Sequence, residues 1–396
     1  MNMRRYGNRR ENYMKQTNVG ILGCGYISRT YAGDIRNFFL QLKVLACADV
    51  TLPLAEKLAK EFGIPQPCLT EELLQNPDVE IIVNLTPPQV HEELNRRILE
   101  AGKHLFSEKP FAQSAETAQE LLALADSKGL KVGGAPDTFL SSGLQSVRYY
   151  LDAGIIGRPF MLTGNMTTFG VETWHPNPIP FYSKGSGPMY DMAPYYLAAI
   201  VSLLGPIERV AAFRVKPFET RQVYVGPMAG GEIPTEVETT YTAVMHMRCG
   251  AVVNLNVTYD IYRSNLPMFE IYGDGGTLTY PDPNFGGGAP KVYRKEQYID
   301  LLYRDTEEAR ERSRTFYELP ELFPRPKDYS RGIGVADLAK AIETGGESRT
   351  RGMLPHIVEA IAGLVHAAET QTMYEMKTTC ERPVPMTPGL KLGEVQ

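Results

Sequence analysis

At 396 residues the chain exceeds the ~100–200 residues usual for one domain, so two domains sharing an interface are expected. With 43% hydrophobic and 22% charged residues, its composition is that of an ordinary globular protein, which excludes a disordered or fibrous chain. Its 41 basic and 46 acidic residues leave a formal charge of −5 with no sustained basic stripe, which argues against a nucleic-acid partner, and no apolar run approaches the ~18 residues that span a bilayer.

The first stretch carries Arg4, Arg5, Arg9, Arg10 and Lys15 without a following apolar core, so residues 1–16 read as a disordered tail rather than a secretory signal. Cys24, Cys47, Cys68, Cys249 and Cys380 form no CxxC pair and read as free thiols of a reducing compartment, so a cytoplasmic protein is expected. From Asn18 the pattern is a strand to Leu22, the loop Gly23-Cys24-Gly25, a helix from Tyr26 to about Leu42, and a strand Lys43 to Ala48. Ile27, Tyr31, Ile35, Phe38, Phe39 and Leu42 recur near helical spacing and give that helix one buried stripe.

Further strands follow at Val79 to Leu85, Lys103 to Ser107 and Leu130 to Gly133, separated by helices at Leu54 to Phe62, Glu71 to Leu74, Val90 to Ala101 and Ser114 to Lys128. Short apolar strands alternating with helices imply a doubly wound parallel sheet covered on both faces, over residues 17–140. After Ala135-Pro136-Asp137 the alternation changes, and residues 141–396 read as a second α/β domain with an open, mainly antiparallel sheet. A helix at Leu144 to Asp152 leads to a loop-rich segment containing Trp174-His175-Pro176, then a helix from Asp191 to Leu204. Tyr241, Ala243, Met245 and Met247, then Val253, Leu255, Val257 and Tyr259, alternate with period two across a Cys249-Gly250 turn and predict antiparallel strands. Another hairpin is expected through Gly273 to Gly276. A charged surface stretch follows at Tyr303 to Arg314, and helices close the chain at Val335 to Glu343 and Pro355 to Thr370.

Residues without Cβ let backbone amides approach a pyrophosphate at the positive end of the following helix, so Gly23, Gly25, Tyr26 and Ile27 form a candidate dinucleotide cradle. Its third small position is Ser28 rather than Gly or Ala. Asp49 ends the second strand twenty-four residues after Gly25, near where a dinucleotide fold places an acid on the adenosine ribose. A carboxylate there repels a 2′-phosphate, and Val50 and Thr51 supply no arginine, so NAD is expected over NADP.

Lys109 follows an apolar strand at a carboxyl edge, where ligands of open α/β sheets sit. Removing a hydroxyl proton during hydride transfer suits a lysine that takes the proton or polarises the oxygen, although a lysine before proline is also an ordinary solvated loop residue. Glu108 could bond a nicotinamide ribose or cap a turn. Asp191 and Tyr195 share one helix face at i, i+4, with helix capping the plain alternative for Asp191. His175 beside Trp174, the only tryptophan, pairs an imidazole with an indole that can cover a sugar face; a structural histidine is the alternative. The remaining histidines have no metal-ligand spacing, so no metal is assigned.

Taken together, Gly20 to Ile27, Thr86-Pro87-Pro88 with His91, Ala101-Gly102-Lys103 leading to Glu108-Lys109-Pro110, Gly154 to Gly157, Gly185 to Asp191, Ile271-Tyr272-Gly273 and His356 resemble the glucose-fructose oxidoreductase/inositol dehydrogenase (Gfo/Idh/MocA) family. The resemblance implies a Rossmann domain and an α/β domain whose free sheet face forms a dimer or tetramer. It places Lys109 between nicotinamide and substrate, Thr86, Pro87, His91 and Glu108 on the cofactor side, and Asp191 and Asp137 toward substrate. Tyr195 stands where the family usually has a histidine, and Pro136-Asp137-Thr138 where many members have an arginine or asparagine. Either Lys109 takes the proton with Tyr195 relaying, or His175 has assumed the role. The expected function is NAD-dependent oxidation of a secondary hydroxyl of a sugar, cyclitol or glycoside. The alternatives are a redox-neutral enzyme with tightly bound NAD and a non-catalytic NAD-binding sugar sensor.

Overall fold

The computed structural model describes residues 16–324 and 329–396, so the expected tail lies, through residue 15, outside the described residues. Six strands form the first sheet: β1 (Thr17–Leu22), β2 (Leu42–Ala48), β3 (Gln66–Cys68), β4 (Ile81–Asn84), β5 (His104–Ser107) and β6 (Val132–Gly134). All pairings are parallel in the order β3-β2-β1-β4-β5-β6. Ile81, Ile82 and Val83 on successive positions of β4 are all fully buried, as a strand covered on both faces requires. The covering helices are α1 (Ser28–Phe38), α2 (Leu52–Phe62), α3 (Thr70–Gln75), α4 (His91–Glu100) and α5 (Ala115–Ser127). Because the chain reverses direction of winding between β1 and β4, the carboxyl ends of these strands open a crevice there, with β5 alongside.

After α6 (Ser142–Asp152) and β7 (Pro159–Thr167) come two helices, α7 (Pro188–Asp191) and α8 (Ala193–Leu204). Next are β8 (Ile207–Val215), the small hairpin β9 (Thr220–Gln222) and β10 (Glu232–Pro234), and then β11 (Thr240–Met247), β12 (Val252–Thr258), β13 (Phe269–Gly273) and β14 (Gly276–Tyr280). An excursion adds β15 (Lys291–Arg294), α9 (Lys295–Tyr303), α10 (Glu307–Arg312) and β16 (Tyr317–Glu318) before α11 (Ile333–Thr344), α12 (Leu354–Thr370) and β17 (Tyr374–Glu375). The second sheet runs β16-β15-β14-β13-β7-β12-β11-β8-β17, antiparallel except between β7 and β12. Alternate residues Tyr241, Ala243, Met245 and Met247 of β11 are buried as their period predicts, in a core shared with α6, α8 and α12. The opposite face leaves Phe213, Val215, Val244 and Val252 exposed. Among the described residues no helix is long and apolar enough to cross a membrane.

Two expectations need correction. The helix from Asp191 to Leu204 is broken at Met192, because Pro194 has no N–H for the Tyr190 carbonyl; Tyr195 N–H instead bonds the Met192 carbonyl at 3.2 Å. The division at residue 140 also fails near the C-terminus. Helix α11 packs Val335, Ala336, Leu338 and Ala339 against Val19, Tyr31, Ile35 and Phe106, so it closes the core of the first sheet.

Candidate active site

The glycine loop leaves β1 with Gly23 at φ +95°, and a Cβ there would lie 2.8 Å from the backbone of Leu85 and Thr86. Only glycine lets the loop pass so close to the end of β4. At Gly25 a Cβ would meet nothing within 4 Å, so the outer wall of the loop faces open space. Helix α1 starts there with no side-chain cap and no acid in its first turn, which leaves its positive end available to a phosphate. A cavity of about 250 Å³ adjoins the loop, lined by Gly25, Tyr26, Arg29 and Lys57 among others. Asp49 borders this loop, its carboxylate accepting the Cys24 and Thr51 amides at 2.9 Å each. Each carboxylate oxygen keeps a lone pair for a further donor. This set of residues fits a dinucleotide.

On the far side of the crevice Thr86 bonds Asn84 through its hydroxyl at 2.7 Å, and Pro87 leads into a 3₁₀ turn at Pro88–Val90. His91 is buried, with its ring nitrogens 2.7 Å from the Thr86 carbonyl and 2.8 Å from the Pro110 carbonyl. It ties the loops after β4 and β5 together. Both oxygens of the buried Glu108 hold protein donors, the Tyr31 hydroxyl at 2.9 Å and the Lys109 amide at 3.0 Å. That geometry corresponds to the turn-capping alternative.

At the end of β5, Lys109 Nζ donates to Asp191 Oδ1 at 2.6 Å and to the Asp191 carbonyl at 2.8 Å. The carbonyl is free to accept because the break at Met192 leaves it without the helical donor it would otherwise have. The Tyr259 hydroxyl donates to Asp191 Oδ2 at 2.5 Å, so the carboxylate is clamped between an ammonium and a phenol. With side chains only 16% and 23% exposed, the ion pair is partly withdrawn from water. Burial alone would lower the proton affinity of Lys109, but Asp191 and Glu108 hold it above the ordinary lysine value. Burial likewise opposes ionisation of Asp191, and Lys109 with Tyr259 outweighs it, holding the carboxyl below its ordinary value. Each shift favours the charged form of its group, and within the pair Lys109 is the hydrogen-bond donor and Asp191 the acceptor.

Tyr195 lies beside this pair, with its ring centroid 5.6 Å from Lys109 Nζ and 5.3 Å from the guanidinium carbon of Arg331. Arg331 is only 2% exposed and enters from the strap before α11. Asp137 is engaged elsewhere than Asp191: its Oδ2 accepts the Gly334 amide at 2.8 Å near the start of α11. Burial raises its carboxyl to about 6, partly offset by Arg331. His175 and Trp174 come from the long loop after β7, with rings 5.4 Å apart, and His175 also meets Phe181 at 5.0 Å and Tyr26 of the glycine loop at 5.8 Å. This aromatic contact crosses the crevice between the two sheets. Its loop is anchored below by Glu172, whose carboxylate accepts the Tyr182 hydroxyl and, at 3.0 Å, the buried Arg221. Arg221 also bonds the Tyr259 carbonyl at 3.0 Å.

Tyr259 and Arg331 were not singled out as site residues from the sequence. Tyr259 was visible only as one inward position of an alternating strand. Arg331, in Ser330-Arg331-Gly332, carries no local signal because the side chains its guanidinium meets, Asn284 and Tyr195, are 47 and 136 residues away.

Residues 17–134 match the oxidoreductase family with an NAD-binding Rossmann fold, and residues 144–279 match the GFO/IDH/MocA C-terminal domain. Levoglucosan dehydrogenase of Pseudarthrobacter phenanthrenivorans is 23% identical, over 84% of this chain and 91% of its own. Inositol 2-dehydrogenase of Ralstonia nicotianae is 26% identical over 67% and 74%. Among solved structures, levoglucosan dehydrogenase with NADH and levoglucosan superposes with a TM-score of 0.72 at 21% identity, over 91% of this chain and 99% of that one. Aldose-aldose oxidoreductase from Caulobacter crescentus gives 0.72 at 18% identity, over 91% and 100%.

Proposed function

Because this chain belongs to the Gfo/Idh/MocA oxidoreductase family and carries its NAD-binding domain, we propose that it oxidises a secondary hydroxyl of a sugar, cyclitol or glycoside. The observation that carries this reading is the Lys109–Asp191 ion pair at the crevice, joining the segment after β5 to α7. When bound, the nicotinamide supplies a hydride acceptor. Asp49 favours NAD over NADP, since its carboxylate repels a 2′-phosphate. Lys109, held charged, polarises the substrate oxygen and stabilises negative charge developing on it. Asp191 and Tyr259 hold the ammonium in place.

As the carbon gives up hydride and its oxygen becomes a carbonyl, the hydroxyl proton passes to the ionised oxygen of Tyr195. Among the described residues the Tyr195 hydroxyl donates to no recorded acceptor, so its proton position is open to substrate. Trp174 and His175 cover the ring of the substrate, while Asp137 and Glu108 serve the frame. The second sheet, with Phe213, Val215, Val244 and Val252 exposed, is the face through which copies of the chain pair.

A second reading is favoured by the Tyr26–His175 contact across the crevice, at 5.8 Å. A clasp there slows exchange of dinucleotide, which suits a closed cycle in which one sugar is oxidised and another compound reduced without cofactor release. Incubation with NAD and a panel of sugars, cyclitols and glycosides, following reduced-nicotinamide absorbance, tests the first reading. Dinucleotide recovered from denatured protein without net reduction supports the second. Neither reduction nor NAD binding overturns both.

A further inference from the structure

Arg331 lies beyond both spans matched to the family, on the strap that returns from the second sheet to α11. Its guanidinium is nonetheless buried beside the reaction centre. Nη1 donates to the Ser330 carbonyl at 3.0 Å, and Nη2 donates to Asn284 Oδ1 at 3.0 Å and to the Tyr195 hydroxyl at 3.4 Å. The guanidinium carbon lies 4.3 Å from the Tyr329 ring centroid and 5.3 Å from that of Tyr195. Its own backbone N–H is fixed by Asp34 of α1 at 2.9 Å, so the position of the side chain is set from both domains.

Tyr195 thus has a cation near each side: Lys109 from β5 and Arg331 from the strap. A donor directed at a phenol oxygen occupies an acceptor site on it and favours the ionised form, while leaving the hydroxyl proton available for transfer. We infer that Arg331 is a positioning residue for Tyr195, fixing the phenol oxygen and stabilising it when it has lost its proton. This rests on the role given to Tyr195 above.

All charged and titratable groups facing the phenol bear on this. Burial resists its ionisation most strongly, Arg331 and Lys109 favour it, and Glu108 and Asp191 oppose it, leaving the group above its ordinary value. The Tyr259 and Tyr329 phenols are further neighbours, and Asp137 faces Arg331 and competes for its field. With burial unfavourable, removing one of two favourable cations leaves a phenol that is much harder to ionise.

The test replaces Tyr195 with 3,5-difluorotyrosine, whose more acidic phenol titrates where the protein is folded, and follows its fluorine resonance with pH in the otherwise wild-type chain, in Arg331→Met and in Arg331→Lys. No substrate is needed, so the outcome is independent of whether the proposed oxidation is correct. Arg331→Met is expected to move the titration upward by about one pH unit, about tenfold in the ionised fraction at a given pH. Arg331→Lys keeps a cation but not the fork that serves Asn284 and Tyr195 together, so a smaller shift of the same sign is expected. If Arg331→Met does not fold, the Arg331→Lys titration decides. An unchanged or lower titration in the folded variants overturns the inference.

With a substrate in hand, Arg331→Met is expected to lower kcat with little change in KM, and to add nothing to the loss caused by Tyr195→Phe. Independent, additive losses overturn the link between the two residues even if Tyr195 itself is essential.

Discussion

Replacing Lys109 with Met keeps much of the side-chain volume while removing the ammonium that pairs with the Asp191 carboxylate. Loss of one partner of a fully buried ion pair costs about 3–5 kcal/mol. Here the side chains retain 16% and 23% exposure, and Tyr259 still donates to the other carboxylate oxygen, so water and the phenol take part of the burden. A loss of about 1–2 kcal/mol in stability is expected instead. The chemical effect is larger. Removing a preorganised donor from a developing oxyanion lowers kcat by about 10²–10³-fold, equivalent to about 3–4 kcal/mol of barrier. The assay is kcat/KM on the best substrate of the panel, with NAD binding followed through the fluorescence of Trp174, the only tryptophan in the chain, which lies on the aromatic clasp. Dinucleotide binding is expected to survive. A Lys109→Met variant that binds NAD and turns over within a few-fold of wild type would refute the role of the ammonium.

Tyr195→Phe is expected to lower turnover about 10²-fold or more, the scale of a lost acid–base group, without loss of NAD binding. Because burial holds its phenol above the ordinary value and the base must be ionised, wild-type kcat is expected to rise with pH through the alkaline range, and stopped-flow profiles that are flat there would count against Tyr195. Asp49→Ser is expected to narrow the preference for NAD over NADP, measured as the ratio of their dissociation constants; an unchanged ratio would separate Asp49 from cofactor choice. At Asp137 the folded carboxyl is raised to about 6, so the folded state binds the proton more tightly and stability falls as pH rises from the ordinary aspartate value toward 6. Asp137→Asn, still able to accept the Gly334 amide, is expected to gain up to about 3 kcal/mol relative to wild type between pH 4 and pH 7 in denaturant melts. A difference independent of pH would contradict that assignment.

Much of the first sheet was legible because its information is local. Val19 to Leu22, the glycines and the stripe of α1 each occupy one short window, and Asp49 falls at a fixed distance from the loop. Lys109 and Asp191 could be found for a similar reason, since each sits in a short motif. The geometry that couples them was not legible. It depends on the break at Met192, which Pro194 encodes but which a helical periodicity conceals, and on Tyr259, which looks like any inward residue of its strand. A helix over Val335 to Glu343 was legible, but nothing local says which of two sheets it covers. Arg331 illustrates the limit most clearly: its meaning comes from Asn284, Tyr195 and Asp34, brought together only by tertiary folding. Strands β7 and β8 were missed because Gly164 and Asn165 interrupt one, while Glu208, Arg209 and Arg214 place charges in the other.

The most direct measurement is to incubate wild-type protein and Lys109→Met with NAD and a panel of sugars, cyclitols and glycosides deuterated at the carbinol carbons, then identify the dinucleotide by mass spectrometry, both free and released on denaturation. Deuterium carried onto the nicotinamide by the wild type, from one class of ring alcohol and not by the variant, is the expected result. Failure of the wild type to transfer deuterium from any of them, with no dinucleotide bound, would contradict hydride transfer at this site.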